Sequence, residues 1–286
     1  MSRRTQAASL VAALGLEQPP GLVAIVGGGG KSSLMFALGE SLPGRVVMTT
    51  TTRIFAAQMS RAAVACSLHD GDIEERLDAL DSNLLVVGSV KGDRAVGVPA
   101  ELPAQWLDRP GVNWVVAEAD GSRMRPVKAP AEHEPVVPDR THLLVAMAGI
   151  DALDAPLREV AHRPERVSAI TGLTPEAALT PEALAALLTS PEGGLKDASK
   201  AERVAVLINK VESARQRAAA REVARCILED RGDSPGLRVE RVAIGALRDG
   251  ASPRWEVCAS AQPGAWGHIT PGDLPRRALV GRREGP

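Results

Sequence analysis

The segment Gly21–Leu42, which reads GLVAIVGGGGKSSLMFALGESL, constrains the fold of this chain more than any other. Its apolar run Leu22–Val26 is typical of a buried strand. After four consecutive glycines, Leu34 and Leu38 recur at helical spacing, which predicts an amphipathic helix. A strand that enters a helix through glycines predicts a β–α unit, whose turn can present backbone N–H groups and the positive end of a helix to a phosphate.

The residues of this turn match the chemistry of a phosphate chain. Lys31 would reach the outer phosphates, and the Ser32 hydroxyl would ligate Mg²⁺. The full Walker signature has a glycine where this chain has Ile25, so the motif is a shortened form. The alternative is a turn that binds nothing, but each glycine costs about 0.5–1 kcal/mol in chain entropy, which a mere turn would not require. The predicted phosphate-binding residues are Gly27, Gly28, Gly29, Gly30, Lys31, Ser32 and Ser33.

Further short apolar runs alternate with alanine- and leucine-rich stretches. This alternation predicts an α/β fold with a mostly parallel sheet covered by helices on both faces, and with the glycine turn the chain resembles a three-layer P-loop NTPase-like fold. The expected organisation is a helical lead-in over residues 1–20, a single domain over residues 21–260 and a flexible tail over residues 261–286. The predicted strands are Leu22–Val26, Arg45–Thr49, Leu84–Gly88, Trp114–Glu118, His142–Ala146, Val204–Asn209 and Leu237–Ile244.

Three helices have visible end signals. Thr174-Pro175-Glu176 and Thr180-Pro181-Glu182 each place a capping hydroxyl before a proline and an acid, which predicts two helix starts. Glu212–Asp230 is rich in Ala, Arg and Glu with one apolar stripe, which predicts a long surface helix.

The charge balance and the cysteines exclude several classes of protein. The chain has 34 Lys+Arg and 35 Asp+Glu without a run of like charges, so it lacks the basic surface of a nucleic-acid-binding protein. Cys66, Cys226 and Cys258 lie too far apart for a zinc ribbon or a disulfide framework, and we expect them in the core. No signal peptide and no apolar window of membrane-spanning length is evident, so we expect a cytoplasmic protein.

Two further strand ends carry polar residues suited to a nucleotide. Four threonines, Thr49 to Thr52, precede Arg53; their hydroxyls could bind Mg²⁺ or a γ-phosphate, and Thr51 could orient a water, although threonine also favours strands and caps. The strand Trp114–Glu118 leads into Asp120, and carboxylates at such an end can hold Mg²⁺. Glu118 and Asp120 share one face of an extended chain, so either or both could serve the metal. Lys31, Thr51 and Asp120 are the predicted catalytic residues.

The segment after Asp120 is rich in cations and prolines. Arg123, Arg125 and Lys128 would suit a second anionic ligand or the phosphates of the same nucleotide. His133 lies between two glutamates and could be a metal ligand, a general base or a solvated surface residue.

A later strand ends in Asn209-Lys210-Val211-Glu212. The tetrapeptide resembles the Asn-Lys-x-Asp sequence of guanine-specific P-loop proteins, in which the acid binds the base. Glu212 is one methylene longer than aspartate, and it could instead simply open the following helix. Asn209 and Lys210 are the predicted base-facing residues.

Five segments together carry a resemblance to one family: GGGGKSS, TTTTRIF, EADGSRMRPVKAPAEHEPVVP, HRPE and INKVE. The chain resembles the YqeC-type accessory proteins of selenium-dependent molybdenum hydroxylases from about Gly21 to Ile244. The resemblance implies a fold near that of metal-insertion GTPases and a role in maturing a molybdenum enzyme. It also implies phosphate binding by the glycine turn, Mg²⁺ at Glu118 and Asp120, and a nucleotide base near Asn209 and Lys210.

Three functions are compatible with these features. The first is a Mg²⁺-dependent hydrolase of GTP or ATP that assists a molybdenum hydroxylase or its maturation proteins. The second is a chaperone or scaffold that holds a phosphorylated molybdopterin-type cofactor, with Arg123, Arg125 and Lys128 as additional phosphate ligands, and hydrolyses nothing. The third is an ATP-dependent ligase, for which no acyl-phosphate site is identified.

Overall fold

The structure is a computed structural model that describes residues 10–69, 71, 73–79, 83–229, 238–247, 255–259 and 267–268. The strands are β1 (Gly21–Gly27), β2 (Arg45–Thr50), β3 (Arg53–Phe55), β4 (Val64–Ser67), β5 (Leu84–Val87), β6 (Ser89–Lys91), β7 (Arg94–Val96), β8 (Val112–Glu118), β9 (Val127–Lys128), β10 (Thr141–Gly149), β11 (Ala161–His162), β12 (Ala201–Asn209), β13 (Val239–Ile244), β14 (Glu256–Ala259) and β15 (Gly267–His268). The helices are α1 (Lys31–Ser41), α2 (Ile73–Ala79), α3 (Leu102–Leu107), α4 (Leu157–Val160), α5 (Pro164–Thr171), α6 (Pro181–Thr189) and α7 (Ala214–Glu229).

A 10-stranded sheet organises the chain, in the order β15-β14-β13-β12-β10-β1-β8-β2-β5-β4. Every neighbouring pair from β13 to β4 is parallel, and only β14 and β15 pair antiparallel at one edge. The strand that leads into the four glycines, β1, lies near the middle, between β10 and β8. The carboxyl ends of β1, β8, β10 and β12 therefore meet at one edge of the sheet.

Both faces of the sheet are covered, which confirms the predicted three-layer α/β fold. On one face, Ala24 and Val26 of β1 belong to the hydrophobic cluster that contains α6 and α7. On the other face, Val23 and Ile25 pack with apolar residues of α1. Because alternate residues of a strand point to opposite faces, the unbroken apolar run in β1 satisfies both clusters at once.

The helix predictions had mixed outcomes. The Thr180 hydroxyl accepts the Ala183 N–H at 3.2 Å and caps α6, as predicted. The helix predicted after Thr174 is wrong: that segment forms a turn in which Ala177 N–H donates to Thr174 O at 3.0 Å. The chain then extends, and buried Leu179 donates its N–H to Ala155 O, so a paired segment occupies the space before α6.

The chain ends agree with the predictions only where the structure describes them. Residues 10–14 are helical, within the predicted lead-in. The residues Asp230 and Leu237, and the predicted tail apart from β15, lie outside the described residues. Cys66 and Cys258 are buried, as expected, and Cys226 is half-buried. None of the helices in the described part of the chain has the length and hydrophobicity that a bilayer crossing requires.

Candidate functional site

The glycine turn, which we call the phosphate loop, comprises residues 27–30 and joins β1 to α1. Gly27, Gly29 and Gly30 have φ values of 97°, 76° and 120°, a region that favours glycine. Close packing also requires glycine, because a Cβ on Gly28 would lie 2.7 Å from Arg125 O and one on Gly29 would lie 2.2 Å from Gly149 N. Close packing of the loop against neighbouring main chain therefore explains why these residues are glycines, without a ligand. The entropy cost of four glycines is not by itself evidence for phosphate binding.

The N–H groups of the phosphate loop and those of the first turn of α1 differ in their partners. Gly28 N–H donates to Met147 O at 2.8 Å and Gly29 N–H donates to Arg125 O at 3.2 Å, so these two amides bind the protein itself. The first turn of α1 differs, since its N-cap residue Gly30 gives it no side-chain cap. The N–H groups at the start of a helix lack intrahelical partners, so the amides from Lys31 onward are the donors that an anion could use.

Lys31 occupies the first position of α1 and is 3% exposed. Its Nζ donates to Gly27 O at 2.7 Å, and it lies 3.3 Å from Asp120 Oδ1 and 3.8 Å from Glu118 Oε1. The ammonium group is thus directed back across the loop and not into solvent. Among the described residues, its counter-charges are the two acids that were predicted to hold a metal.

Glu118 and Asp120 have distinct partners. Glu118, the last residue of β8, accepts the Ser32 hydroxyl hydrogen at 2.6 Å. Asp120 accepts Gly27 N–H at 3.0 Å and holds the end of β1. Burial raises the pKa of Glu118 above its usual range, and the nearby charge of Asp120 adds to this, although Lys31 and Ser32 act in the opposite direction.

These residues fit a magnesium ion in their chemistry. The hydroxyl of Ser32 and the carboxylates of Glu118 and Asp120 are hard oxygen ligands of the kind that Mg²⁺ prefers. The hydroxyl already contacts one carboxylate, and both carboxylates contact the same ammonium group. A Mg²⁺ that bound these oxygens would lie beside the start of α1.

The threonines of β2 and the following turn bind backbone groups. The hydroxyls of Thr49, Thr50 and Thr51 donate to Val86 O, Glu118 O and Val136 O at 2.7, 3.0 and 2.7 Å. Thr51 thereby ties the end of β2 to the proline-rich loop. Its hydroxyl hydrogen already has an acceptor, so orienting a water would use its free lone pairs.

The predicted cationic group does not assemble on one open surface. Lys128 is buried, and its three N–H donors are used by Asp120 Oδ2 at 3.1 Å, Gly121 O at 2.8 Å and Glu134 Oε2 at 2.7 Å. Arg123 and Arg125 are exposed, and Arg125 donates to Glu159 O. His133 is exposed as well.

The structure adds charged residues that the sequence interpretation missed. Arg163 Nη1 lies 2.8 Å from Glu134 Oε2, which also binds Lys128. Burial raises the pKa of Glu134, but the hydrogen bonds and charges of Lys128 and Arg163 outweigh it and hold the pKa at about 2. Ion pairs of alternating sign thus lead from the phosphate loop to α5, with separations of 3.3, 3.1, 2.7 and 2.8 Å. We call this set the inner charge row: Lys31, Asp120, Lys128, Glu134 and Arg163.

Asn209 connects the phosphate loop to the segment that follows β13. Its Nδ2 donates to Gly29 O at 2.8 Å, and its Oδ1 accepts Leu247 N–H at 3.0 Å. Lys210 has a positive φ of 65° and pairs with Asp151 at 2.6 Å in a half-exposed position. The two residues predicted to face a base are therefore a buried support of the loop and a surface cation.

Comparison with known proteins places this site in a family. A family model described as YqeC protein matches residues 23–165. The protein described as "Uncharacterized protein YqeC" from Escherichia coli (strain K12) is 34% identical over 208 residues, which cover 71% of this chain and 80% of that relative. The chain belongs to the YqeC family. No solved structure matches the chain.

The YqeC family match covers the site unevenly. The matched residues 23–165 contain the phosphate loop, Glu118 and the whole inner charge row. Asn209 and Lys210 lie outside them. The segment that defines the YqeC match is therefore the same segment that builds the cluster of charged side chains at the carboxyl edge of the sheet.

Proposed function

We propose that the chain is a Mg²⁺-dependent nucleotide-binding protein that hydrolyses GTP or ATP. One observation carries the proposal: Lys31, at the start of a helix that lacks a capping side chain, contacts two buried carboxylates, one of which binds the adjacent Ser32 hydroxyl. An ammonium group, free helix amides and a hydroxyl–carboxylate pair are the groups that a metal-bound triphosphate needs.

Each residue has a specific part in this mechanism. Lys31 exchanges its carboxylate partners for the outer phosphate oxygens and neutralises charge that develops between the β- and γ-phosphates. Ser32, Glu118 and Asp120 would hold the Mg²⁺, which would supply positive charge to the phosphates when bound. Thr51 or Asp120 orients the attacking water. The main-chain amides of Lys31, Ser32 and Ser33 bind the phosphates at the positive end of α1.

Membership of the YqeC family supports the wider role. The resemblance to accessory proteins of selenium-dependent molybdenum hydroxylases leads us to propose that the nucleotide cycle drives cofactor modification or insertion in such an enzyme. The enzyme or its maturation proteins would be the partner. Exchange of the Lys31 partners on hydrolysis would then act on Asp120 and Lys128, and through them on the loop 121–128.

A second candidate function is a scaffold that binds a phosphorylated molybdopterin-type cofactor without hydrolysis. The observation in its favour is that the groups available to orient a water are already engaged. Thr51 donates to Val136 O, and Asp120 accepts Gly27 N–H and pairs with two lysines. In this case the start of α1 and Arg123 would bind phosphate, and no group would activate water.

Nucleotide binding by the purified chain tests the proposal. Calorimetry would compare GTP, ATP and a molybdopterin dinucleotide, each with and without Mg²⁺, and phosphate release would be followed in parallel. We expect a nucleoside triphosphate to bind only with Mg²⁺, because the two carboxylates repel the bare triphosphate. Lys31→Ala should weaken binding about 10–100-fold through loss of a charged hydrogen bond, whereas Lys91→Ala, an exposed lysine of β6, should not.

Two further measurements test the metal site and separate the hydrolase from the scaffold. Ser32→Ala should weaken Mg²⁺-dependent binding, while Ser33→Ala should leave the metal dependence unchanged because only its main-chain amide takes part. Binding of the molybdopterin dinucleotide with no phosphate release from GTP or ATP would favour the scaffold. Failure of all three ligands to bind would contradict both functions.

A further inference from the structure

The short ladder of β9 and β11 places a histidine beside the inner charge row. The two strands pair in parallel with His162 in register with Lys128, and Ala129 N–H donates to His162 O at 3.4 Å. Residues in register on neighbouring strands extend their side chains from the same face. His162 therefore lies on the face from which Lys128 contacts Asp120 and Glu134.

Two arginines near His162 have N–H groups that donate to no described residue. Within the described residues, Arg163 bonds only through Nη1, to Glu134 Oε2 and Ala129 O, so Nε and Nη2 have no protein partner. Arg123 is exposed and has no partner in that part of the chain. Lys128 differs because its three donors are all used. The open N–H groups of this region thus belong to the two arginines.

The backbone holds these arginines in a conformation that costs free energy. Arg123, Met124 and Arg163 have φ values of 48°, 62° and 65°, and a non-glycine residue in this region costs about 1–3 kcal/mol. Such strain concentrates where side chains must be held for a ligand. Met124 is 81% exposed, so the strained turn is not explained by burial of its own apolar side chain.

The charge around His162 is unbalanced. Burial lowers the pKa of His162, and the cations Arg163, Lys128 and Arg123 lower it further, to about 4, against the single opposing carboxylate of Glu134. The imidazole is therefore neutral near pH 7. Asp120 also pairs with Lys128, so the excess positive charge near His162 comes from Arg123. An anion placed there would meet unused arginine donors and would relieve this excess.

We propose that Arg123, His162 and Arg163 form a subsite for the phosphate group of a second, small-molecule ligand. Arg123 and the unused Nε and Nη2 of Arg163 can donate to several oxygens at once, which matches a phosphate group better than a single carboxylate. Two guanidinium groups and an imidazole also offer more donors than a carboxylate needs. The inference deepens the proposed function, since the phosphate loop beside it would bind the nucleotide, and it names phosphate esters as the class of second substrate.

The imidazole of His162 provides a local readout for this subsite. The full chain, labelled on its histidines, would be titrated over pH by NMR with and without inorganic phosphate, and His162→Gln would identify the signal. We expect phosphate to raise the pKa of His162 by about 1–3 units, the effect of an opposite charge at close range. Sodium chloride at matched ionic strength should produce a much smaller rise. An equal rise in both salts would overturn the proposal, because it would show screening alone.

Variants then assign the site. Arg123→Ala removes an exposed side chain with no described partner, so the fold should be retained while phosphate affinity falls about 10-fold, as for loss of one charged hydrogen bond. Arg166→Ala is the matched control, because Arg166 lies one turn further along α5 and donates to Pro130 O. If both variants weaken phosphate binding equally, the effect is general surface charge and the proposal fails.

The failure of this inference is distinguishable from failure of the proposed nucleotide function. Lys31→Ala should weaken nucleotide binding about 10–100-fold and leave the phosphate-induced change at His162 in place. If His162 does not respond to phosphate although GTP or ATP binds, the second subsite is refuted and the nucleotide function stands. If a nucleoside triphosphate alone produces the full change and phosphate then competes with it, the three residues belong to the nucleotide site, and the proposal of a second ligand is wrong.

Discussion

Two sets of alternating charges in this molecule differ in almost everything except their sign pattern. The inner charge row lies at the carboxyl edge of the sheet, and its central members Asp120 and Lys128 are 2% and 4% exposed. A second set, which we call the outer charge row, lies on the solvent side of α7 at helical spacing. It consists of Glu222, Arg225 and Glu229.

The difference in burial between the two rows indicates which ion pairs need a functional explanation. Exposed pairs at helical spacing are screened by water and salt and contribute little to stability. Buried charges are costly to desolvate, and each must keep its partners. Apolar residues of similar volume would often be as stable, so a buried row beside a helix start requires another reason. We propose that ligand binding at the phosphate loop is that reason.

Among the variants that test this comparison, Lys128→Met should have the largest effect on stability. The substitution leaves Asp120 and Glu134 without their shared buried counter-charge, so we expect the free energy of unfolding to fall by about 3–5 kcal/mol. Urea unfolding followed by circular dichroism measures it. Lys91→Met, at an exposed site, is the control. A loss no larger than that of the control would mean that the inner row is not held together by Lys128.

Asn209→Ala tests whether the buried, uncharged side chain that supports the phosphate loop stabilises the fold as much as Lys128 does. It leaves Gly29 O and Leu247 N–H unpaired, and we expect a loss of about 2–3 kcal/mol. Lys210→Ala removes a half-exposed neighbour and should cost much less. Equal losses in the two variants, measured by the same urea titration, would show that the amide does not support the loop.

Glu134→Gln sharpens the comparison through pH. The folded pKa of Glu134, about 2, is below its ordinary value of 4.5, so its ion pairs stabilise the fold above pH 4.5. This stabilisation is lost as the pH falls from about 4.5 to about 2. At neutral pH we expect a loss of about 1–2 kcal/mol, reduced because solvent screens this partly exposed group. Unfolding curves of the wild type and the variant should converge near pH 2, and a constant difference would contradict the assigned cause.

The smallest effect should come from the outer row. Arg225→Gln breaks its pairs with Glu222 and Glu229. Arg225 and Glu229 are exposed and Glu222 is half-exposed, so we expect no resolvable change in the urea midpoint at physiological salt. A clear destabilisation that persists in high salt would show that exposure is a poor guide to the value of an ion pair in this chain.

Most of the sheet could be predicted from sequence because its strands are long, nearly continuous apolar runs. β1, β8, β10 and β12 are buried on both faces, and the predicted segments lie within their bounds. Strands of two or three residues, such as β9 and β11, are too short to show periodicity. The helix expected after Thr174 failed because an N-terminal signal cannot reveal that the following residues pair with another segment.

The candidate site also has a part that could be predicted from sequence and a part that could not. Lys31, Ser32, Glu118 and Asp120 could be grouped from sequence, because the ends of parallel strands meet at one edge. The contact between Glu134 and Arg163 joins residues 29 apart in the chain and depends on the path of an irregular, proline-rich loop. No local pattern encodes such a contact. Burial of Lys128 was missed for a related reason, since a lysine in a polar segment is usually solvated.

The close packing of the loop glycines has a consequence for the entropy of ligand binding. A loop that lies against Gly149 N and Arg125 O, without space for a methyl group, is already in its final shape before any ligand arrives. Association would then require no ordering of the main chain, and little conformational entropy would be lost on complex formation. Gly28→Ala or Gly29→Ala should consequently impair this preorganisation even though neither substitution removes a charge or a hydroxyl.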